Sequence, residues 1–168
     1  PMVFEFMNDP AVPYLDQQYM LGDALLVAPV FREDKVAQYY LPEGTWTELL
    51  TGETKEGGRW FQGTYDYFSM PLYVRENSIV VRGNCDTRPD YDYADHATVC
   101  VYQLKDAAET KVPDIHGNNV FTVKAVKDGD TVKVFVEGAH TELKVEVFVG
   151  NEKKEAVLAA DANEVVVA

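Results

Sequence analysis

The most regular hydrophobic pattern of the chain lies on both sides of an Asp128-Gly129 pair. Apolar residues there occupy every second position: Phe121, Val123, Ala125, Val132, Val134 and Val136. Alternation with a period of two predicts half-buried strands, and an Asp-Gly pair between two such runs is typical of a tight turn. The pattern therefore predicts a β-hairpin over residues 120–137.

Short apolar runs separated by turn residues recur along most of the chain. The runs are rich in Val, Tyr, Phe, Thr and Trp, and Gly, Pro, Asn and Asp separate them, which is typical of strands joined by turns. They predict strands at residues 24–30, 36–41, 46–50, 59–62, 65–69, 72–75, 79–82, 98–104, 120–126, 131–137, 142–149, 156–158 and 164–167. The predicted fold class is all-β, with two antiparallel β-sandwich domains in tandem.

The first 21 residues follow a different pattern. Residues 1–6 look like a strand, Asp9-Pro10 offers a helix cap, and apolar residues at helical spacing predict a helix that ends at Gly22. A strand followed by a helix is the unit of parallel α/β folds, so we expect residues 1–21 to be the tail of a larger α/β domain in a truncated chain. The apolar residues of that strand are then expected to lose their partners: Met2, Val3, Phe4 and Phe6.

The predicted domains follow from these patterns. Residues 22–83 form a proximal β domain, residues 84–95 an acidic connector without strand alternation, and residues 96–168 a distal β-sandwich. The expected core of the proximal domain comprises Leu25, Val27, Tyr39, Leu41, Trp46, Leu49, Trp60, Phe68, Leu72, Val74, Ile79 and Val81. Trp46, Trp60 and the tyrosines could instead form a platform for sugars, but tryptophans of β-sandwiches are more often core, and we expect weak or undetectable carbohydrate binding.

The amino-acid composition argues against several classes of function. With 168 residues, of which 46% are hydrophobic, the chain can bury a core, and its net charge of −13 argues against a nucleic-acid partner. No run approaches the roughly 20 apolar residues that a membrane helix needs. Cys85 and Cys100 could form a disulfide, but free thiols and a cytoplasmic location are favoured. Self-association is left open.

Paired carboxylates are the first candidates for catalysis, because glycoside hydrolysis uses two of them across the scissile bond. Glu5 and Asp9 qualify by residue type alone, and a structural role is favoured, with Asp9 as a helix cap. Phosphate loops, Gly-x-Ser-x-Gly elbows and Cys/His nucleophile arrangements do not occur in the sequence. No catalytic residue, cofactor or metal site is therefore predicted.

The connector and the histidines are the remaining candidates. Asp86, Asp90, Asp92 and Asp95 could bind calcium, with Tyr91 and Tyr93 stacking on a sugar. The spacing lacks the turning glycine and closing glutamate of a calcium loop, so an acidic linker with aromatic anchors is favoured. His96, His116 and His140 lie far apart without ligand spacing, which argues against zinc and favours surface positions.

The order of motifs resembles the C-terminal region of glycoside hydrolase family 31. The similarity is dense over residues 1–83, and Arg88-Pro89-Asp90-Tyr91 extends it toward the α-xylosidase branch. The matching stretches are Phe4-Glu5-Phe6 with Asp9-Pro10, Gln18 to Asp23 with Leu26 to Val30, Tyr40 to Trp46 with Thr51-Gly52-Glu53, and Pro71 to Arg75.

The resemblance implies a specific place in a larger enzyme. Members of that family are retaining exo-acting α-glycosidases in which a (β/α)8 barrel is followed by a proximal and a distal β-sandwich, and their catalytic aspartates lie in the barrel. The resemblance thus implies that residues 1–21 are a short remnant of that barrel, namely its last strand and helix. The Trp-x-Asp-Met-Asn-Glu type motif of the nucleophile is absent here. The resemblance implies that these residues are structural β domains, whose partners are the missing barrel and the oligosaccharide substrate of the parent α-xylosidase or α-glucosidase. An autonomous carbohydrate-binding module is the alternative.

Overall fold

The computed structural model describes residues 1–168 and divides them into two compact units, Pro1–Glu76 and Asn77–Ala168. Fifteen strands account for nearly all of the regular structure. The only helical segments are α1, Met2–Glu5, and a 3₁₀ turn, Val12–Tyr14, and no helix is long and apolar enough to cross a membrane. The predicted all-β class is confirmed.

The first unit contains two antiparallel sheets. Its strands are β1 Tyr19–Leu21, β2 Leu25–Val27, β3 Val36–Leu41, β4 Thr45–Glu48, β5 Thr54–Glu56, β6 Arg59–Thr64 and β7 Leu72–Arg75. Five of them form a sheet in the order β1-β2-β7-β4-β5, and β3 pairs with β6 in a separate two-stranded sheet. The strands predicted at 36–41 and 72–75 are confirmed with the same bounds.

The core of the first unit lies around Trp46, whose indole Nε1–H donates a 2.8 Å hydrogen bond to the carbonyl oxygen of Pro42. The buried cluster comprises Met2, Val12, Leu26, Ala28, Tyr39, Leu41, Trp46 and Tyr73. The predictions of Trp60 and Phe68 as core residues are wrong, because their side chains are 57% and 93% exposed. Phe68 lies in a turn rather than in the predicted strand 65–69, since Asp66 accepts hydrogen bonds from the backbone of Phe68 and the hydroxyl of Ser69.

The predicted strand and helix of residues 1–21 are both wrong. Residues 2–5 form the short helix α1, and Tyr19–Leu21 is an edge strand that pairs with β2 in a hairpin. Gly22 does take the left-handed conformation, with φ of 66°, but it closes that hairpin and not a helix. Met2, predicted to lose its partners, is 1% exposed in the core, whereas Phe4 is 75% exposed.

Gln18 joins this N-terminal segment to strand β3. Its side-chain Nε2 donates to the carbonyl oxygen of Tyr40 at 2.7 Å, and its Oε1 accepts from the Tyr40 backbone N–H at 2.8 Å. The amide thus satisfies both backbone groups of Tyr40 in the way a neighbouring strand would. Gln18 is 6% exposed, so this contact fixes the segment against β3 in a buried position.

The second unit is a sandwich of two four-stranded sheets. Its strands are β8 Ser78–Arg82, β9 Thr98–Tyr102, β10 Ala107–Pro113, β11 Asn119–Asp128, β12 Thr131–Gly138, β13 Leu143–Val149, β14 Glu152–Leu158 and β15 Glu164–Val167. The sheets have the orders β10-β11-β12-β15 and β14-β13-β9-β8. The strand pairs of this unit are antiparallel as predicted, except for β9–β13, which is parallel.

The predicted hairpin at Asp128-Gly129 is confirmed. Strands β11 and β12 pair in register from Phe121 with Gly138 to Asp128 with Thr131, and all six alternating apolar residues are buried. Strand β10, which the sequence pattern missed, has only Val112 as a buried residue because it lies at the edge of its sheet.

The boundary between the units differs from the predicted one. Residues 79–82, assigned above to the proximal domain, belong to β8, which pairs with β9 from Ser78–Tyr102 to Arg82–Thr98. Residues 84–95 therefore connect two neighbouring strands of one sheet. The predicted connector lies within the second unit, because strand β8, which precedes it, already pairs with β9 in that unit.

Candidate functional site

The most distinctive surface of the first unit is the outer face of strands β3 and β6. Because side chains alternate along a strand, Tyr39 and Phe61 point to the core, whereas the cross-strand pairs Tyr40–Trp60 and Gln38–Gln62 lie on the opposite face. We call these last four residues the Trp60 face. It combines an exposed aromatic ring with two polar amides.

Trp60 is exposed, but its ring packs against that of Tyr40. Its ring centroid lies 5.6 Å from that of Tyr40, with an angle of 58° between the planes. Tyr40 itself is only 8% exposed, and burial together with a hydrogen bond to Asp9 raises the pKa of its hydroxyl. The indole is thus supported from one side by a buried ring and open to solvent on the other.

Next to Trp60, the side-chain amides of Gln38 and Gln62 form a hydrogen bond across the two strands. Gln38 Nε2 donates a 2.7 Å hydrogen bond to Gln62 Oε1, and both residues are exposed. A side-chain amide has two donors and one acceptor oxygen. This pairing leaves polar groups of both amides available to a ligand while fixing the position of each.

A groove of about 550 Å³ adjoins the Trp60 face at Tyr40. Among the residues that line it are Asn8, Asp9, Glu43 and Gly58. Its two sequence-derived catalytic candidates are occupied by structural contacts, since Glu5 pairs with Arg75 at 3.5 Å and Asp9 accepts a 3.0 Å hydrogen bond from the backbone of Ala11. The groove is therefore open, polar and rich in carboxylates.

Beneath the Trp60 face, a cluster of tyrosines surrounds Lys55. The Lys55 ammonium donates to the Tyr73 hydroxyl at 2.6 Å and to the Tyr39 hydroxyl at 3.1 Å, and the hydroxyls of these two tyrosines are 2.8 Å apart. Burial is the main cause that raises the pKa of the Tyr73 and Tyr65 hydroxyls. Since Tyr39 belongs to β3 and Tyr73 to β7, the cluster connects the two sheets and supports the Trp60 face from inside.

The aspartates and tyrosines of the predicted connector serve local structure. Asp92 accepts a 3.0 Å hydrogen bond from the Ala94 backbone, Asp95 lies 2.7 Å from His96 Nδ1, and the Tyr93 hydroxyl donates to the carbonyl of Pro89. The rings of Tyr91 and Tyr93 meet edge to face at 5.0 Å. Asp86 and Asp90 are exposed. No group of three or more His, Cys, Asp or Glu side chains that could hold a metal ion occurs in residues 1–168.

The three histidines lie apart, and His140 is the most constrained. Its two ring nitrogens lie 2.7 Å and 3.0 Å from the carbonyl oxygens of Thr141 and Ala162. His96 and His116 are exposed, and the backbone N–H of His116 donates to Asp114. No pair of them shares a site.

Both cysteines are free, but their environments differ. Cys100 is buried, and burial raises the pKa of its thiol to about 11, so that it stays protonated at neutral pH. Cys85 is half-buried, and a hydrogen bond from the Thr87 hydroxyl lowers the pKa of its thiol.

Comparison with known families identifies the chain. Residues 1–80 match the model described as "Glycosyl hydrolase family 31 C-terminal domain", and residues 92–168 match "Alpha-xylosidase YicI, C-terminal domain". The chain belongs to glycoside hydrolase family 31. It is the C-terminal β region of α-xylosidase- and α-glucosidase-like enzymes of that family, and the resemblance drawn from its motifs is confirmed.

Individual relatives of this family 31 chain agree with the assignment. Alpha-xylosidase XylQ of Lactiplantibacillus pentosus is 33% identical over 156 residues, which are 90% of this chain and 20% of that enzyme. The crystal structure of the family 31 α-xylosidase of Xanthomonas citri superposes with a TM-score of 0.75 at 28% identity, covering 99% of this chain and 21% of that one.

A third match shows the fold alone. The cycloalternan-forming enzyme of Listeria monocytogenes, solved with a pentasaccharide substrate, has a TM-score of 0.83 at 21% identity over 99% of this chain and 20% of its own. The chain spans about a fifth of the length of all three relatives.

Proposed function

We propose that these residues are the C-terminal structural domains of a retaining α-glycosidase that removes terminal α-linked xylose or glucose. The observation that carries the proposal is the pair of family matches in chain order, residues 1–80 and then 92–168, together with the 33% identity to an α-xylosidase. In this proposal the catalytic barrel belongs to the same polypeptide and is the partner of the two units. The free thiols of Cys85 and Cys100 support a cytoplasmic location.

In this proposal, both catalytic carboxylates lie outside residues 1–168. Retaining hydrolysis needs a nucleophile and an acid/base about 5 Å apart, both free to reach one sugar. Glu5 is held by Arg75 and Asp9 by the backbone of Ala11, which supports structural roles for the two carboxylates of the groove. The two units would then stabilise the barrel without taking part in the chemistry.

A hydrolysis assay of residues 1–168 tests this proposal. We expect no turnover of 4-nitrophenyl α-xyloside or α-glucoside above a heat-denatured sample, whereas the full-length polypeptide hydrolyses at least one of them. Turnover by residues 1–168 would overturn the proposal. If it occurred, Glu5→Gln and Asp9→Asn would show whether the groove is responsible.

A further inference from the structure

We propose that the Trp60 face is a surface site for a neutral α-linked oligosaccharide, with one sugar ring packed on the indole of Trp60. The face itself follows from the geometry alone, whereas the choice of α-glucosyl and α-xylosyl sugars rests on the proposed function. The site lies on the paired strands β3 and β6 of the first unit.

The first argument is the exposure of a large aromatic ring that packs against a buried one. The chain buries Trp46 to 1% exposure but leaves 57% of Trp60 in water, although both lie on strands of the same unit. An indole offers a flat face of negative charge density, on which the positively polarised C–H groups of a sugar ring pack well. Because the ring of Tyr40 packs against the indole, part of the rotamer freedom of Trp60 is already restricted before a ligand binds.

The second argument is the position of the polar groups. Gln38 and Gln62 lie two residues along the strands from Tyr40 and Trp60, a step of about 7 Å at 3.4 Å per residue. An amide pair at that distance can exchange hydrogen bonds with the hydroxyls of a sugar stacked on the indole or of the next sugar in the chain. A few fixed polar groups beside an apolar surface are what orient a bound small molecule.

The third argument concerns the charge of the ligand. Asp9 and Glu43 line the groove beside Tyr40. The groove's one cation, Arg75, is paired with Glu5, and the net charge of the chain is −13. This field disfavours sulfated or phosphorylated ligands, whereas neutral sugar hydroxyls can donate hydrogen bonds to carboxylates. The surface therefore fits a neutral oligosaccharide rather than an anionic one.

Two-dimensional ¹H–¹⁵N NMR of residues 1–168 tests the proposal, because the chain has only two indole N–H groups. On titration with maltotriose or isoprimeverose, the Trp60 indole signal and the side-chain NH₂ signals of Gln38 and Gln62 are expected to move with one millimolar dissociation constant. The indole signal of Trp46, buried and bonded to Pro42, is expected to stay in place. Glucose 6-phosphate is expected to leave all four signals unchanged.

Matched variants make the test specific. Trp60→Ala is expected to weaken binding at least about tenfold, measured by the shifts of the glutamine signals and by calorimetry. Phe68→Ala removes an aromatic ring that is 93% exposed on another loop of the same unit, and it is expected to leave binding unchanged. Equal affinities of the wild type and Trp60→Ala, or no saturable shift at Trp60, would overturn the proposal.

The same titration separates this inference from the proposed function. Cleavage of the sugar during the experiment would contradict the structural role but not the site, whereas intact sugar without shifts would contradict the site alone. Repeating the titration on the full-length polypeptide, with a thio-linked maltotriose that the enzyme cannot hydrolyse, completes the test. Loss of the Trp60 response there would overturn the site as a feature of the enzyme, since other parts of the polypeptide would then cover the indole.

Discussion

Single residues show how contacts distant in sequence decide the local structure. Gln18 has no apolar character, yet it is 6% exposed and replaces a strand neighbour for Tyr40. Trp46 and Trp60 are equally hydrophobic, but only Trp46 is covered by other parts of its unit. The sequence pattern identifies both tryptophans as strand residues, whereas the burial of each depends on which sheet lies against its face.

The contact between Gln18 and Tyr40 leads to a prediction. Gln18→Ala leaves the backbone N–H and carbonyl of Tyr40 without their partners in a buried position, so the free energy of unfolding should fall by about 2–4 kcal/mol. The exposed neighbour provides the control, because Gln17→Ala should stay within about 0.5 kcal/mol of the wild type. Urea unfolding followed by tryptophan fluorescence measures both. A similar small effect of the two variants would mean that water replaces the amide.

At the scale of elements, the reliability of the sequence pattern depends on where the partner strand lies. The β11–β12 hairpin was predictable because its turn and its alternation lie within 20 residues and point to the same register. The parallel pairing of β9 with β13 was not, since it joins residues 98–102 to 144–148 and leaves no local signal. Helix α1 was also missed, because four residues carry too little periodicity to separate a helix from a strand.

Strand β13 shows a second departure from simple alternation. Its inward residues are apolar, but Glu146 on the other face is also buried, at 3% exposure. The carboxylate is surrounded by Arg82 at 2.6 Å, Lys144 at 3.0 Å and Lys153 at 3.5 Å. Burial alone would raise the pKa of Glu146, but the hydrogen bond from Lys144 and the charges of the three cations outweigh it and lower that pKa.

A pH-dependent loss of stability follows for Glu146→Gln. Because the folded state holds the charged form, the wild-type carboxylate contributes stability above its unfolded pKa of about 4.3, and this contribution is lost as the pH falls through the lower folded pKa. The variant should be less stable than the wild type by about 1–3 kcal/mol at pH 7, and the difference should shrink toward pH 3.

Glu155→Gln is the matched control for this prediction. Glu155 contacts the same cations, Lys144 at 3.3 Å and Lys153 at 2.7 Å, but its side chain is 45% exposed. An exposed pair contributes at most about 1 kcal/mol. Urea unfolding at pH 7 and pH 3 compares the two variants. If Glu146→Gln lowered the free energy of unfolding equally at pH 7 and pH 3, packing and not charge would account for the contribution of Glu146.

At the scale of the whole molecule, residues 1–21 belong to the fold of the first unit. Met2 is buried beside Trp46 in the core, and the ring of Phe6 lies 6.2 Å from that of Trp46 and 4.9 Å from the Arg75 guanidinium. Met2 and Phe6, which the sequence pattern assigns to the remnant of another domain, therefore contribute to the core of the first unit. Their pattern could not reveal this, because Met2 and Trp46 are 44 positions apart in the sequence.

The last prediction compares Met2 with Phe4, which lie on opposite sides of α1 and are 1% and 75% exposed. Met2→Ala should lower the free energy of unfolding of the first unit by about 2–5 kcal/mol, because it leaves a cavity in the core cluster that contains Trp46. Phe4→Ala should stay within about 0.5 kcal/mol. Both tryptophans belong to the first unit, so their fluorescence during urea unfolding reports on that unit specifically.

Deleting residues 1–8 should destabilise the first unit at least as much as Met2→Ala, since it also removes Phe6 from Trp46. This expectation reverses the one drawn from the sequence alone, in which Met2, Val3, Phe4 and Phe6 have lost their partners. If the deletion and Met2→Ala both left the fluorescence transition in place, the N-terminal segment would not be part of the core. The barrel-remnant interpretation would then regain support, because α1 would contribute no more to the unit than an exposed extension does.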